Sequence, residues 1–410
     1  MKRLSTSLRL LICILILLPL VTPTAGMKAL AKESTYQTGF GHWTASSNGF
    51  GGWTLSGTTL ASDGSLIMDA SAVSETDPYP VGGYYGGNFY NGGNFNVGEA
   101  VSPAMTAPFA FKEAIASWNA VTPDGTWIET QIRVQFSGRW SKWYNLGIWA
   151  SGYSTIERHS VRLQGDSDGY IAVDTLVITN KKEVTDIYQL KLRLFSVDGD
   201  VTPGVVNASL AYSTSPTKKP TTSPGNPDLW GTTLDVPECS QMVYPDGGNV
   251  WCSPTSTSMV LGFYGFDPGP CEPRVRAAVD GVYDWIYDGH GNWPFNTAYA
   301  ASRGLEAYVA RFTSLAQAEP WIAQGVPVVM SIAWSKGDLT DAPVKSSSGH
   351  LIVLVGFDAA GNPVVNDPAA AADADVRRTY LRSELEPLWL MNSGGTVYLI
   401  FPTSLDITDF

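Results

Sequence analysis

The sequence is short of positive charge. Its 26 Lys and Arg face 38 Asp and Glu, a formal net charge of -12. That argues against a nucleic-acid partner, because phosphate binding needs a basic face. Charge of either sign is sparse at 16%, against 44% hydrophobic and 11% aromatic residues. This is the composition of a folded protein, and 410 residues suit one to three domains. Long apolar runs are missing too. Residues 8–20 are apolar apart from Arg9, but the run is short for a membrane span, and no later stretch is long enough to cross a bilayer. There is no phosphate-loop motif. Cysteine and histidine number 4 each, so thiol or imidazole chemistry has few places to reside.

What is present begins with an export signal. Lys2, Arg3 and Arg9 give a positive start, the apolar run follows, and Ala29 and Ala31 offer small residues before a cut after residue 31. "TPTAG" is an earlier alternative cut. Cys13 lies inside the apolar run behind the bulky Ile12, which argues against lipid attachment. Residues 1–31 are therefore predicted as a signal peptide, and the mature chain as secreted, extracellular and without a membrane span. Three cysteines then remain, Cys239, Cys252 and Cys271. An odd number in an oxidising place means a free thiol or an intermolecular bridge. The economical pairing is a disulfide between Cys239 and Cys271, which leaves Cys252 free.

Residues 213–230, with the Ser/Thr/Pro-rich "STSPTKKPTTSPGNPDL", read as a semi-extended linker between two segments. The first, residues 33–212, reads as an all-β sandwich. In "WIETQIRVQF", Ile128, Thr130, Ile132, Val134 and Phe136 share one face, and Tyr188, Leu190, Leu192 and Leu194 repeat the pattern in "YQLKLRLF". "IAVDTLVI" (171–178) and "NASLAYS" (207–213) also suit strands, with turns at Asp124-Gly125, 166–169 and 198–200 between them. Half of the 14 tryptophans and the Gly/Tyr/Asn-rich stretch 81–98 lie in this segment. Exposed aromatics stack on sugar rings, so a carbohydrate or cell-surface ligand is one reading; the plainer one is that the rings fill the core. The Asp clusters at 166–168 and 198–200 follow no complete calcium-loop pattern and read as turns.

The second segment, residues 231–410, reads as α+β. Helices are predicted over 254–264, 272–286, 296–304 with Asn296 as cap, and 314–325 with Pro320 shortening it. Strand-like runs follow at 326–334, 350–357, 363–367 and 396–401.

Cys252 stands just ahead of the first of these helices. A thiol there feels unpaired backbone N–H groups and the positive end of the helix dipole, both of which favour the nucleophilic thiolate; a buried structural cysteine is the plainer alternative. A thiolate needs a base that later serves as acid. His42 and His159 fall in the β segment. His290 reads as a loop residue or substrate contact. His350 heads the run "HLIVLVGF" and is the better base. The turn "GFDAAGNP" folds "PVVND" back onto that run, which brings Asp367 near His350 to orient its ring; Asn366, facing the other way, is the reserve. Gln241, eleven residues before Cys252, is a candidate oxyanion donor together with the Cys252 amide.

The stretches "VPECSQMVYPDGGNVWCSPTSTSMVLGFYG", "GVPVVMSIAW" and "GHLIVLVGFDAAGNPVVNDPA" resemble the bacteriocin-processing peptidase family, a branch of the papain-like cysteine peptidases. The resemblance spans about residues 235–402 and is strongest to secreted bacterial members with an added N-terminal β-domain. It implies a papain-like cysteine peptidase domain with Cys252 as nucleophile, His350 as base, Asp367 as orienter and Gln241 as oxyanion donor, acting on a protein or peptide without cofactor or metal. Two departures stand out. Ser253 occupies the place after the nucleophile where the family often has Gly. The members that cut double-glycine leaders carry membrane-spanning and ATP-binding parts that this chain lacks. Trp251, Ser253 and Trp293 are the candidate substrate contacts. Two other functions fit the same residues: an amidase, cell-wall endopeptidase or transpeptidase on the same triad, and a non-catalytic exported surface-binding protein.

Overall fold

The computed structural model describes residues 36–405; the predicted signal peptide, its cut and Cys13 lie outside the described residues. Residues 38–213 are all β, in two antiparallel sheets. Thr126–Phe136 and Ile187–Ser196 pair along their length, Ile128 opposite Leu194 and Ile132 opposite Leu190. The faces named by alternation point into the core: Ile128, Ile132, Val134, Leu190, Leu192 and Leu194 are all fully buried, as the two-residue period requires. One expected strand is two. Residues 171–178 fold into a hairpin, Gly169–Ala172 against Thr175–Ile178, with Val173 and Asp174 at its tip. The stretch 81–98 folds over a small core of its own, burying Tyr90 and Phe95 against Trp127 and Phe195.

The connector after Ser213 is extended, with a short turn at Pro227–Leu229, and it is held. Buried Glu319 accepts from the N–H of Asn226 (2.7 Å) and the indole of Trp230 (2.8 Å), and buried Glu386 accepts from the N–H of Ser223 (2.9 Å). Arg382 neutralises Glu319 at 2.7 Å.

The second half builds a six-stranded antiparallel sheet. Its spatial order is Leu305–Arg311, Thr396–Pro402, Val328–Trp334, Ser347–Phe357, Pro363–Asn366, Arg377–Thr379. Helices α1 (Cys252–Phe263), α2 (Cys271–Val282), α3 (Trp293–Ser302), α4 (Glu319–Ala323) and α5 (Arg382–Ser393) surround it. The strands Leu305–Arg311 and Arg377–Thr379 and helix α5 are not among the expected elements. Helix α2 ends at Val282 rather than at 286, because Asp284 accepts from the N–H groups of Ile286 and Tyr287 and turns the chain. The cap of α3 is Asn292, whose side chain accepts from Phe295 N at 3.2 Å, not Asn296.

The two halves share a core and, over the described residues, form one compact unit. Phe295 of α3 packs against Trp149 and Trp118 of the sandwich, ring centroids 5.3 and 6.3 Å apart. The free edge of the six-stranded sheet is covered by polar side chains. Asn119 donates to Ala307 O (2.6 Å) and accepts from its N–H (3.2 Å), and the Ser117 hydroxyl accepts from Val309 N (3.0 Å). An open edge is a template for stray pairing, and here the sandwich occupies it.

Cys239 and Cys271 form a disulfide across 32 residues, and Cys252 is free. Replacing both bridged cysteines with Ser is expected to cost about 3–4 kcal/mol by loop-closure entropy. Urea unfolding of the double variant beside the parent checks this.

Candidate active site

Helix α1 sits inside the protein although it carries a polar run. Ser253, Thr255, Ser256, Thr257 and Ser258 are buried. Their hydroxyls are small and mostly bonded: Ser256 to Leu351 O (3.1 Å), Ser258 to Thr255 O (2.7 Å), Ser253 with Tyr398 Oη (2.8 Å). The Ser256 bond fastens α1 to the strand Ser347–Phe357 beside His350. Cys252, first residue of the helix and half-buried, is thereby set at the end of α1 where backbone N–H groups lack helical partners.

The register of that strand sets the rest. Phe357 opposes Pro363 and Val353 opposes Asn366, with a bulge between Leu354 and Gly356. Continued past the strand, the pairing puts Asp367 level with Ile352, two residues from His350 and on the same face. Asp367 Oδ1 lies 2.7 Å from His350 Nε2. The carboxylate also accepts from Ala369 N (2.9 Å) and the Tyr380 hydroxyl (2.6 Å). Asn366 turns away and donates to the carbonyls of Val236 and Pro237, both at 3.1 Å. Cys252 is within hydrogen-bonding reach of the His350 ring. Since Nε2 is committed to Asp367, the nitrogen left for Cys252 is Nδ1. Trp334, ring centroid 5.6 Å from that of His350, packs edge-on beside the imidazole.

The electrostatics follow from burial and pairing. Burial pulls the His350 pKa down, but the charge and hydrogen bond of Asp367, then Cys252, outweigh it and push the pKa up to about 10. Burial opposes the Asp367 charge; His350, the Tyr380 hydroxyl and the Ala369 amide overcome it and hold the carboxyl below its usual range. Tyr380 is raised by burial and by the carboxylate beside it.

Gln241 is held by the same segment that bears Asp367. Its N–H donates to Pro368 O (2.8 Å), and the Ser240 N–H donates to Asp373 Oδ1 (2.7 Å). Its Nε2 donates to Gly248 O at 2.8 Å, which leaves the second amide N–H for another acceptor. A Cβ at Gly248 would stand 1.9 Å from Gln241 O, so only glycine allows that approach.

Cys252, His350 and Gln241 line one cleft of about 890 Å3. Trp293 and His290 line it as well. His290 is lowered in pKa by burial and packs against Tyr283 and Trp251, ring centroids 5.1 and 6.1 Å away. Two expected substrate contacts are placed elsewhere. Trp251 is buried against Tyr244, and Ser253 is buried against Tyr398; neither lines the cleft. Successive residues of a helix point about 100° apart, so the neighbour of an outward-facing Cys252 turns into the core. His42 and His159 lie away from the cleft, the first 3.5 Å from Glu306, the second bonded to the carbonyls of Ser160 and Phe89. Tyr380, Trp334, Tyr287 and Asp174 were not singled out from the sequence; each reaches the site from a separate element, with no local pattern to mark it.

Residues 233–397 match the peptidase C39-like family and residues 40–213 match the peptidase C39 N-terminal domain. Among solved structures, a C39-like peptidase from Bacillus anthracis is similar at 18% identity and a TM-score of 0.29, covering 40% of this chain and 94% of that one. A carbohydrate-binding module of a β-sandwich superfamily is similar at 13% identity and a TM-score of 0.19, covering 40% of this chain and 58% of that one. No curated protein matches.

Proposed function

With residues 233–397 a C39-like peptidase domain and residues 40–213 a peptidase C39 N-terminal domain, we propose that the chain is an exported cysteine peptidase that cleaves peptide bonds through an acyl-enzyme on Cys252. The observation that carries this is the position of His350. Its Nε2 is fixed 2.7 Å from Asp367, its ring is within reach of the Cys252 thiol, and Cys252 and His350 border an open cleft.

The chemistry runs from those positions. His350 takes the thiol proton, which its raised pKa favours, giving a thiolate beside an imidazolium. The sulfur attacks the substrate carbonyl carbon. The oxygen that gains charge is met by the Cys252 backbone N–H and by the second side-chain N–H of Gln241. His350 gives its proton to the leaving amine, and the thioester remains. Water, deprotonated by the now neutral imidazole, attacks the thioester and frees Cys252. Throughout, Asp367 holds the ring in one orientation and balances its charge, and Tyr380 and the Ala369 amide hold Asp367.

Incubation with casein and with purified peptidoglycan tests this. Casein cleavage is expected, blocked by iodoacetamide with the adduct located on Cys252 by mass spectrometry. Release of peptidoglycan fragments with intact casein would move the reading to cell-wall chemistry on the same residues. A folded protein that cleaves neither overturns hydrolysis.

A further inference from the structure

The sandwich half supplies part of the cleft that holds Cys252. Val173 and Asp174, the tip of the hairpin Gly169–Ala172/Thr175–Ile178, line it together with Val177, Tyr287 and Trp293. The tip is latched to the second half. Asp174 Oδ2 accepts from Trp293 N, the first amide of α3, at 2.7 Å, and Oδ1 accepts from the Thr175 hydroxyl at 2.8 Å. Asp174 and Cys252 line the same cleft, and both act electrostatically on the Tyr287 and Tyr398 hydroxyls. Val173 has φ +60°, a left-handed conformation that branched side chains rarely adopt. Strained backbone of this kind concentrates at functional sites.

A second wall is set from the same half. Tyr287 belongs to the loop between α2 and α3, and the sandwich fastens that loop. Trp285 N donates to Arg158 O (3.2 Å), Ser160 N donates to Asp284 Oδ1 (3.0 Å), and Arg162 donates to Ile286 O.

The chemistry of this side of the cleft is mainly apolar. The Asp174 carboxylate is buried, with both oxygens engaged by protein donors. Asp288 Oδ1 takes the Tyr283 hydroxyl at 2.6 Å, and Glu113 is paired with Arg311 at 2.6 Å. What this side then offers the cleft is chiefly the isopropyl groups of Val173 and Val177 and the rings of Tyr287 and Trp293, with His290 and the second oxygen of Asp288 beside them.

We propose that the hairpin tip of the sandwich half is a specificity wall of the peptidase: Val173, held in place by Asp174, contacts a bulky apolar side chain of the peptide beside the bond that is cut. This rests on the peptidase reading of Cys252. It makes the N-terminal half a working part of the enzyme rather than a separate binding module.

Val173→Gly tests the wall, since glycine accepts φ +60° and the fold should be kept or firmed, as thermal unfolding would show. Matched peptides with Phe or Ala beside the scissile bond are compared. The wild-type preference for Phe in kcat/KM is expected to fall about tenfold in the variant, through KM, with the Ala peptide changed less than twofold. An unchanged Phe/Ala ratio in a folded variant overturns the wall. The same pair is then bound to Cys252→Ala proteins with and without Val173→Gly, read by tryptophan fluorescence. Loss of discrimination in Kd without any turnover by the wild type would support the wall and overturn the peptidase reading. Turnover with unchanged discrimination would do the reverse.

Discussion

Replacing Cys252 with Ala is expected to lower peptide hydrolysis about 10^5-fold or more while leaving the fold in place. The size of the loss follows from the role. Nucleophile and base act as one unit, so removing the sulfur leaves His350 with nothing to deprotonate and the Gln241 amide with no oxyanion to meet. The fold is spared for local reasons. Cys252 is half-buried at the first position of α1, is outside the disulfide, and Ala is a good helix former. The change in unfolding free energy should stay within about 0.5–1 kcal/mol. Cys252→Ser refines the test: the hydroxyl keeps a hydrogen bond to His350 but is a far weaker nucleophile at neutral pH, so it too should be inactive. Steady-state assays with a fluorogenic peptide, with urea unfolding on the same samples, separate the two effects. Cys252→Ala that keeps more than a hundredth of the parent rate would end the nucleophile assignment.

The parts of this site that the sequence announces are those fixed by short-range geometry. The turn at 358–362 is written in its residues: Asp358 Oδ1 accepts from the N–H groups of Ala360 (2.9 Å) and Asn362 (2.8 Å). A tight turn sets the register of the strands it joins, so counting outward from it brings Asp367 close to His350 even though the bulge at Leu354 and Gly356 is invisible in advance. The start of α1 is legible from Pro254 and the run that follows it. Alternation likewise marks the sandwich strands Thr126–Phe136 and Ile187–Ser196. Period two could not, however, tell one strand from a hairpin at 171–178, because the tip has no Gly or Asn and Val173 takes a φ of +60° that a branched side chain rarely adopts, so Asp174 alone did not mark a turn.

The missed residues are those whose role is decided by contacts far along the chain. Asp174 meets the Trp293 amide 119 residues away, and Tyr380 meets Asp367 from a loop whose sequence shows nothing unusual. The aromatic bias of the N-terminal half also had two meanings that composition could not separate. The structure uses most of those rings as core: Trp118, Trp127 and Trp149 are fully buried, as is Phe95. Asn119 and Ser117, ordinary polar residues in a strand, turn out to hold the two halves together through the backbone of Ala307 and Val309.

Asp367→Ala should cause the second large loss, and it should fall on stability as well as rate. His350 and Asp367 are both buried, and removing one member of a buried, hydrogen-bonded pair leaves the other without compensation, at a cost of about 3–5 kcal/mol. Tyr380 and the Ala369 amide lose their acceptor at the same time. Turnover is expected to drop about 10^2–10^4-fold, because the imidazole is no longer held toward Cys252 and no longer kept protonated for the leaving amine. Asp367→Asn separates geometry from charge. Its amide oxygen still accepts from Nε2, so much of the rate should return. The charge that raises His350 to about pKa 10 is gone, so the alkaline limb of kcat/KM should move to lower pH. The stability difference between parent and Asn variant has a definite window. His350 is raised, so its contribution is complete below its ordinary 6.5 and fades as pH climbs through about 10. Asp367 is lowered, so its contribution is complete above its ordinary 3.8 and fades as pH falls below that. The gap in unfolding free energy should therefore be widest between pH 3.8 and 6.5 and shrink on either side. Urea midpoints for the two proteins at pH 3, 5, 7 and 9.5 measure it. A gap that is flat across that range would mean that the pair is not charged in the folded protein, and with it would go the account of His350 as a proton-bearing partner of the thiolate.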